Sequence, residues 1–189
     1  MHHEIMHFIH ETKILYPQFF ENKRWLEIGS GNGYPLPKAH ATNCEWVGVD
    51  IEEGDNVDVA CLGHHYKDDK LFDVVCSFEV FEHDPFYDLT VINMLEHLKP
   101  GGLFLMSCAY LGRPEHGTDY SSTHASPFTA KIDKWKDFYK NRTPDDFNSN
   151  ELGNMYLGCS HTFGSGLYLE DIWAYKLNSI IGGKFWNLG

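Results

Sequence analysis

What most constrains this chain is an apolar strand that ends in glycines. Trp25-Leu26-Glu27-Ile28 runs directly into Gly29-Ser30-Gly31-Asn32-Gly33. Three glycines in five positions let the chain turn sharply and bring bare backbone N–H groups against a ligand. About 20 residues further on, a second strand, Trp46-Val47-Gly48-Val49, ends in Asp50, and a carboxylate at that strand end can take both hydroxyls of a ribose. A tight turn followed by a solvated aspartate is the plainer alternative, but it does not call for a strand on both sides. The pattern is therefore read as the opening half of a nucleotide-binding α/β sheet.

The rest of the chain extends that sheet. Strand-like runs fall at 24–28, 45–49, 57–60, 72–77 and 103–109, and continuous apolar strands separated by crossovers predict a mostly parallel sheet. A helix is expected over 3–17 with Ile5, Phe8, Ile9 and Thr12 facing inward, and another over 88–98, stopped by Lys99-Pro100-Gly101-Gly102. Residues 127–140 read as a further helix, with Ser126-Pro127 as its start. Two β-like runs, 154–162 and 167–177, are split by Phe163-Gly164-Ser165-Gly166 and read as an antiparallel C-terminal hairpin. The organisation is one domain over 1–189: a helix at 3–17, a core at 24–110, a loop and helix at 111–141, and the hairpin within 154–177. The crossovers are short. Pro35 and Pro37 limit the first helix, and 52–56 and 67–71 are too short for ordinary helices. One sheet face therefore needs cover from the N-terminal helix or from a second copy of the chain in a homodimer.

Charge narrows the partners. Fifteen Lys and Arg against 27 Asp and Glu give a net charge of −12, a field that repels phosphate backbones and argues against nucleic acid. No apolar run reaches the roughly 20 residues of a membrane span, and MHHEIMHFIHE lacks the basic and apolar regions of a secretory leader. Five cysteines, Cys44, Cys61, Cys76, Cys108 and Cys159, form no C-x-x-C pair and suit reduced thiols in the cytoplasm.

The glycine turn also discriminates between nucleotides. Glu27 sits inside it, and Tyr34 stands where a dinucleotide fingerprint needs its third glycine. An acid there disfavours a pyrophosphate and favours a ligand carrying a sulfonium and an amino group, so S-adenosyl-L-methionine (SAM) is preferred over NAD. Beyond this, the stretches around Leu26 to Gly33 and Val47 to Ile51, the run FDVVCSFEVFEH ending at His83 and the run LKPGGLFL beginning at Leu98 resemble, in order and spacing, the motifs of class I SAM-dependent methyltransferases (the type 11-like group) over about 24–110. The resemblance implies the Rossmann-like fold of that superfamily, its last strand inserted antiparallel in a C-terminal hairpin. It also implies that Glu27, Gly29, Ser30, Gly31 and Gly33 line the methionine end of SAM, and that Asp50 holds the ribose. Ile51 would pack on adenine, Leu62, Gly63 and His64 would form the adenine rim, and Phe78 and Glu79 would close the pocket. Leu62 departs from the superfamily, which often has an Asp there, leaving backbone groups to recognise the adenine amino group.

Acceptor chemistry is expected beyond the carboxyl ends of the fourth and fifth strands. His83 is a candidate base with Glu82 or Asp84 to orient it, or else a packed loop histidine. The loop Gly112-Arg113-Pro114-Glu115-His116-Gly117-Thr118 resembles a GRPEHGT signature of a methyltransferase subset often found near sugar or polysaccharide genes, and 135–141 (WKDFYKN) fits the same subset. Arg113 and Glu115 are candidate substrate-binding residues and His116 a candidate base; the alternative is a hydrogen-bonded turn. His3, His7, His10 and Glu11 share a helix face without closing a ligand set, so no metal is expected. The expected activity is methyl transfer to a small-molecule or sugar-like acceptor. SAM binding without turnover and an NAD-linked oxidoreductase are the alternatives.

Overall fold

A computed structural model describes residues 3–31, 36–110 and 112–147. Five strands, β1 (Arg24–Ile28), β2 (Glu45–Asp50), β3 (Val59–Ala60), β4 (Phe72–Phe78) and β5 (Leu98–Ser107), make one sheet in the order β3-β2-β1-β4-β5. All four pairings are parallel. The chain builds outward from β1 to β3, then crosses back to place β4 on the other side of β1. The order therefore reverses between β1 and β4, and a crevice opens beyond the carboxyl ends of those two strands, where open α/β sheets take their ligands. The fold is the expected Rossmann-like α/β type.

Alternation along β1 sends Trp25 and Glu27 to one face and Leu26 and Ile28 to the other. On the first face the Trp25 ring stacks on Trp46 at 4.9 Å and meets Phe20 edge-on at 5.1 Å. Helix α1 (His3–Leu15) buries Ile5, Phe8, Ile9 and Thr12, the inner face the spacing predicts. Its Phe8 ring meets Phe78 of β4 at 6.3 Å, so the N-terminal helix supplies cover for the sheet. It stops two residues short of expectation because Pro17 disfavours helical backbone at Tyr16, and a short 3-10 turn, Pro17–Phe19, follows. The first crossover holds only a five-residue helix, α2 (Leu36–His40). On the second face α3 (Tyr87–Glu96) buries Thr90, Val91, Asn93 and Met94.

Two boundaries shift for local reasons. Leu98 already pairs with Phe72, and the register then slips so that Leu103 meets Val74; Lys99-Pro100-Gly101-Gly102 is a bulge in β5 more than a spacer before it. β3 keeps only Val59 and Ala60 of the expected 57–60. The expected helix at 127–140 is absent. In its place 3-10 turns occupy Thr129–Lys131 and Trp135–Phe138, separated by Lys134 in the left-handed region at φ +65°. No buried apolar stripe runs through this segment, and several of its donors are used on another loop, as described below. Residues 154–177 of the expected hairpin lie outside the described residues. Among the described residues no helix is long and apolar enough to cross a membrane.

Candidate functional site

The crevice at the switch point is a cavity of about 900 Å³, within the range of small-molecule sites, roughly 300–1,000 Å³. Its wall includes Glu27, Gly29, Ser30, Gly31, Asp50, Ile51, Leu62, Gly63, His64, Phe78 and Glu79. The acceptor-side candidates His83, Arg113, Glu115 and His116 line the same cavity. Gly33 lies outside the described residues.

The turn after β1 is held by Val49, whose carbonyl accepts from the Gly29 and Ser30 amides at 2.7 and 3.2 Å. Gly29 has φ +84° and Gly31 φ +50°. A Cβ on Gly29 would stand 2.1 Å from Cγ2 of Val80, so this position needs glycine both for its backbone and for space. Asp50 ends β2 with one carboxylate oxygen accepting from the Ile51 amide at 2.7 Å. Burial raises its pKa above the ordinary range, and the Ile51 and Gly31 amides partly offset that rise.

Glu27 accepts a hydrogen bond from Trp46 Nε1 at 3.1 Å. Desolvation pushes its pKa up to about 7, against the lowering effects of Trp46 and Lys38, while Asp50 adds to the rise. The ordinary value is 4.5, so the folded chain keeps a proton that the unfolded chain has lost. Ionising Glu27 withdraws stability as pH rises through about 7. A cationic ligand that needs the carboxylate reverses the preference. Its affinity should therefore climb on the order of tenfold between about pH 5.5 and 7.5, with proton release on binding. Titrating S-adenosylhomocysteine calorimetrically in two buffers of different ionisation enthalpy checks this, and Glu27→Gln should flatten the profile.

The segment after β4 is unusual. Glu79 has φ +57°, a strained conformation for a residue with a side chain. Its carboxylate accepts from Ser107 Oγ at 2.8 Å and lies 3.9 Å from Arg113 Nη1. Burial and the Glu82 charge raise its pKa well above the carboxylate range. The four successive carbonyls of Phe81, Glu82, His83 and Asp84 are all capped from residues 135–142. Arg142 Nε donates to Phe81 and its Nη2 to Asp84 at 2.9 and 3.1 Å, the Lys140 amide donates to Glu82 at 2.9 Å, and Trp135 Nε1 donates to His83. Arg142 is itself buried and stacks over the Tyr87 ring at 3.8 Å.

The histidines are arranged differently from the sequence expectation. Neither Glu82 nor Asp84 is seen to orient His83. Asp84 accepts from Thr90 Oγ1 at 2.6 Å and from the Phe86 amide at 2.8 Å, whereas Glu82 Oε1 lies 3.6 Å from His116 Nε2. That carboxylate raises the His116 pKa despite partial burial. Desolvation pushes His83 down to about 4, so its ring is neutral near pH 7. The two imidazoles meet edge to face, centroids 5.1 Å apart, and Tyr139 packs against both at 5.3 Å. Gly117, at φ +67°, lets the loop close on His83; a Cβ there would fall 2.6 Å from His83 Cε1. Glu115 is engaged within its own turn, accepting from Thr118 Oγ1 at 2.5 Å. Sequence reasoning did not single out Val80, Tyr139 or Arg142. The first acts through a single close approach, and the others come from a distant part of the chain.

The model of a family described as "Methyltransferase domain" matches residues 1–141. No curated protein matches the chain. Among solved structures, 147 chains match. A S-adenosylmethionine-dependent methyltransferase from Clostridium acetobutylicum is 15% identical, with 57% of this chain and 50% of that one covered and a TM-score of 0.45. The 1,6-didemethyltoxoflavin-N1-methyltransferase of Burkholderia thailandensis is 19% identical, with coverage of 57% and 54% and a TM-score of 0.46. DesVI of Streptomyces venezuelae is 16% identical, with coverage of 60% and 55% and a TM-score of 0.47. The chain thus spans about half the length of these relatives. The family match extends over the sheet, the glycine turn and the acceptor-side loops, and the chain belongs to the methyltransferase-domain family of the class I SAM-dependent methyltransferases.

Proposed function

We propose that this chain transfers a methyl group from S-adenosyl-L-methionine to a small-molecule or sugar-like acceptor. The observation that supports it most directly is that one cavity joins the glycine turn, Asp50 and both histidine-bearing loops. In this reading Glu27, Gly29, Ser30 and Gly31 hold the methionine end, and Asp50 takes the ribose hydroxyls. Ile51 packs on adenine; Leu62, Gly63 and His64 form its rim; Phe78 and Glu79 close the pocket beneath the sulfonium. The cofactor supplies the activated methyl group, and the protein's task is to align an acceptor lone pair with it. His116 and His83 form the acceptor-side wall. As a free imidazole His116 takes the acceptor's proton, its basicity raised by Glu82, and Arg113 orients an anionic or hydroxyl-rich acceptor.

Calorimetric titration with SAM, S-adenosylhomocysteine and NAD tests the cofactor half, and NAD binding without SAM binding overturns it. Transfer of labelled methyl from SAM to a panel of hydroxylated and carboxylated small molecules tests the rest. His116→Ala should cut turnover by about 100-fold or more while S-adenosylhomocysteine affinity stays within about twofold of wild type. Unchanged turnover removes His116 from the reaction.

A further inference from the structure

Glu82, His83 and His116 each offer a ligand atom, and the three atoms lie within 4.8 Å of one another. Glu82 is fully buried, and neither of its oxygens accepts a hydrogen bond from any described residue. A carboxylate desolvated in this way is costly unless something positive sits against it. The nearest polar atom in the cluster is His116 Nε2, 3.6 Å from Oε1. Its other nitrogen, Nδ1, lies 3.0 Å from the Pro114 carbonyl and 3.1 Å from the Tyr139 hydroxyl. The carbonyl can only accept, and the Tyr139 hydroxyl donates its own proton to Asn141 Oδ1 at 2.8 Å. Nδ1 therefore carries a hydrogen, which leaves Nε2 as the nitrogen that faces the carboxylate. A buried carboxylate against an imidazole nitrogen calls for positive charge, which a proton on Nε2 supplies and which a metal ion can supply in its place. An imidazole fixed through Nδ1–H to a backbone carbonyl is also the outer-shell arrangement that metal-ligating histidines use.

We propose that Glu82, His83 and His116 bind a divalent transition-metal ion at the acceptor wall of the cavity. Two imidazole nitrogens and one carboxylate oxygen suit zinc, cobalt, manganese or ferrous iron more than magnesium or calcium. Ligands on such an ion lie roughly 3.4 Å apart. Glu82 and His116 nearly have that separation at 3.6 Å, and with all three atoms within 4.8 Å His83 has to close by at most about 1.4 Å. Three protein ligands leave coordination positions open toward the cavity.

This deepens the preceding reading, on which the choice of acceptor rests: the ion selects acceptors with adjacent oxygens, a vicinal diol or a hydroxy-carboxylate, that chelate it. With the ion bound, His116 is a ligand and the ion takes over its task. The coordinated hydroxyl loses its proton to solvent water. Its oxygen then bonds to the methyl carbon as the carbon–sulfur bond breaks, the electron pair going to sulfur.

The test is titration of the chelator-treated full chain with Co²⁺ and Zn²⁺, followed by calorimetry and by visible absorption of the cobalt form. One ion per chain, with a d–d band, is expected. Glu82→Gln and His116→Ala should each weaken binding by tenfold or more, whereas the double variant His7→Ala/His10→Ala should leave it unchanged. Absence of stoichiometric binding overturns the proposal, as does binding that survives both site substitutions or is lost with His7 and His10. A parallel titration with S-adenosylhomocysteine separates the two readings. Nucleotide binding without metal binding removes only the ion, and metal binding without nucleotide removes only the cofactor. Should Glu82→Gln fail to fold, His116→Ala, at a partly exposed side chain, still decides.

Discussion

Gly29→Ala should destabilise the turn and weaken binding of S-adenosylhomocysteine by up to roughly 100-fold. The alanine Cβ would sit 2.1 Å from Val80 Cγ2, and the backbone at φ +84° admits a side chain only with strain. A non-glycine residue in such a region costs about 1–3 kcal/mol, and overpacking adds a similar amount. Val80 gives little, because a β-branched side chain is stiff about its first torsion. The combined cost of about 3 kcal/mol falls on the stability of the turn. Where the free turn relaxes out of shape, binding has to restore it, a loss of up to roughly 100-fold in affinity for S-adenosylhomocysteine. The double variant Gly29→Ala/Val80→Ala removes the clashing methyl and should recover the packing part while the backbone part remains. Calorimetry and thermal melts on the four corners of this cycle separate the two components. If the double variant binds no better than the single one, the close approach of Val80 is not what fixes the glycine.

Asp50→Ala should have an effect of comparable size on the same ligand while leaving the sheet intact. The carboxylate stands at the end of β2, with one oxygen held by the Ile51 amide and its side chain on the cavity wall. Two charge-assisted hydrogen bonds to a ribose diol, each contributing about 1.5 kcal/mol or more, amount to about 3 kcal/mol, again roughly 100-fold. Asp50→Asn keeps the shape and loses the charge, so it should fall in between. Affinity for S-adenosylhomocysteine within threefold of wild type in Asp50→Ala would show that the nucleoside is seated elsewhere in the cavity.

Both predictions concern the half of the site that can be read from consecutive residues. The strand runs directly into the turn, and the acid that ends the next strand follows about 20 positions later at the spacing such a unit requires. Hydrophobic alternation and glycine chemistry suffice to locate them. The inner face of α1 was likewise legible down to Ile5, Phe8, Ile9 and Thr12, because helical spacing alone decides it. The acceptor half was legible as a set of residues but not as an arrangement. His83 has Glu82 beside it in sequence, yet Glu82 meets His116, which a separate loop brings back across the sheet. The helix read at 127–140 failed for the same reason. Local propensity favoured it, but hydrogen bonds from Trp135, Lys140 and Arg142 to a loop more than fifty positions away dictate the backbone there. The Leu98 boundary moved because pairing with Phe72 outweighed the Pro-Gly-Gly signal that follows it.

The capping of four successive carbonyls from 135–142 sets an order of assembly. The glycine turn and Asp50 are joined across the parallel β1–β2 pairing, about 20 positions apart, a shorter separation than the one that closes the histidine wall. The backbone of Phe81 to Asp84 finds its donors only when a segment made much later arrives, and closing such long loops is the slow part of folding. A chain caught between these events would already hold the glycine turn beside Asp50 while the histidine wall was still unformed. The histidine wall is thus the part of the cavity whose backbone depends on the more distant segment of the described chain.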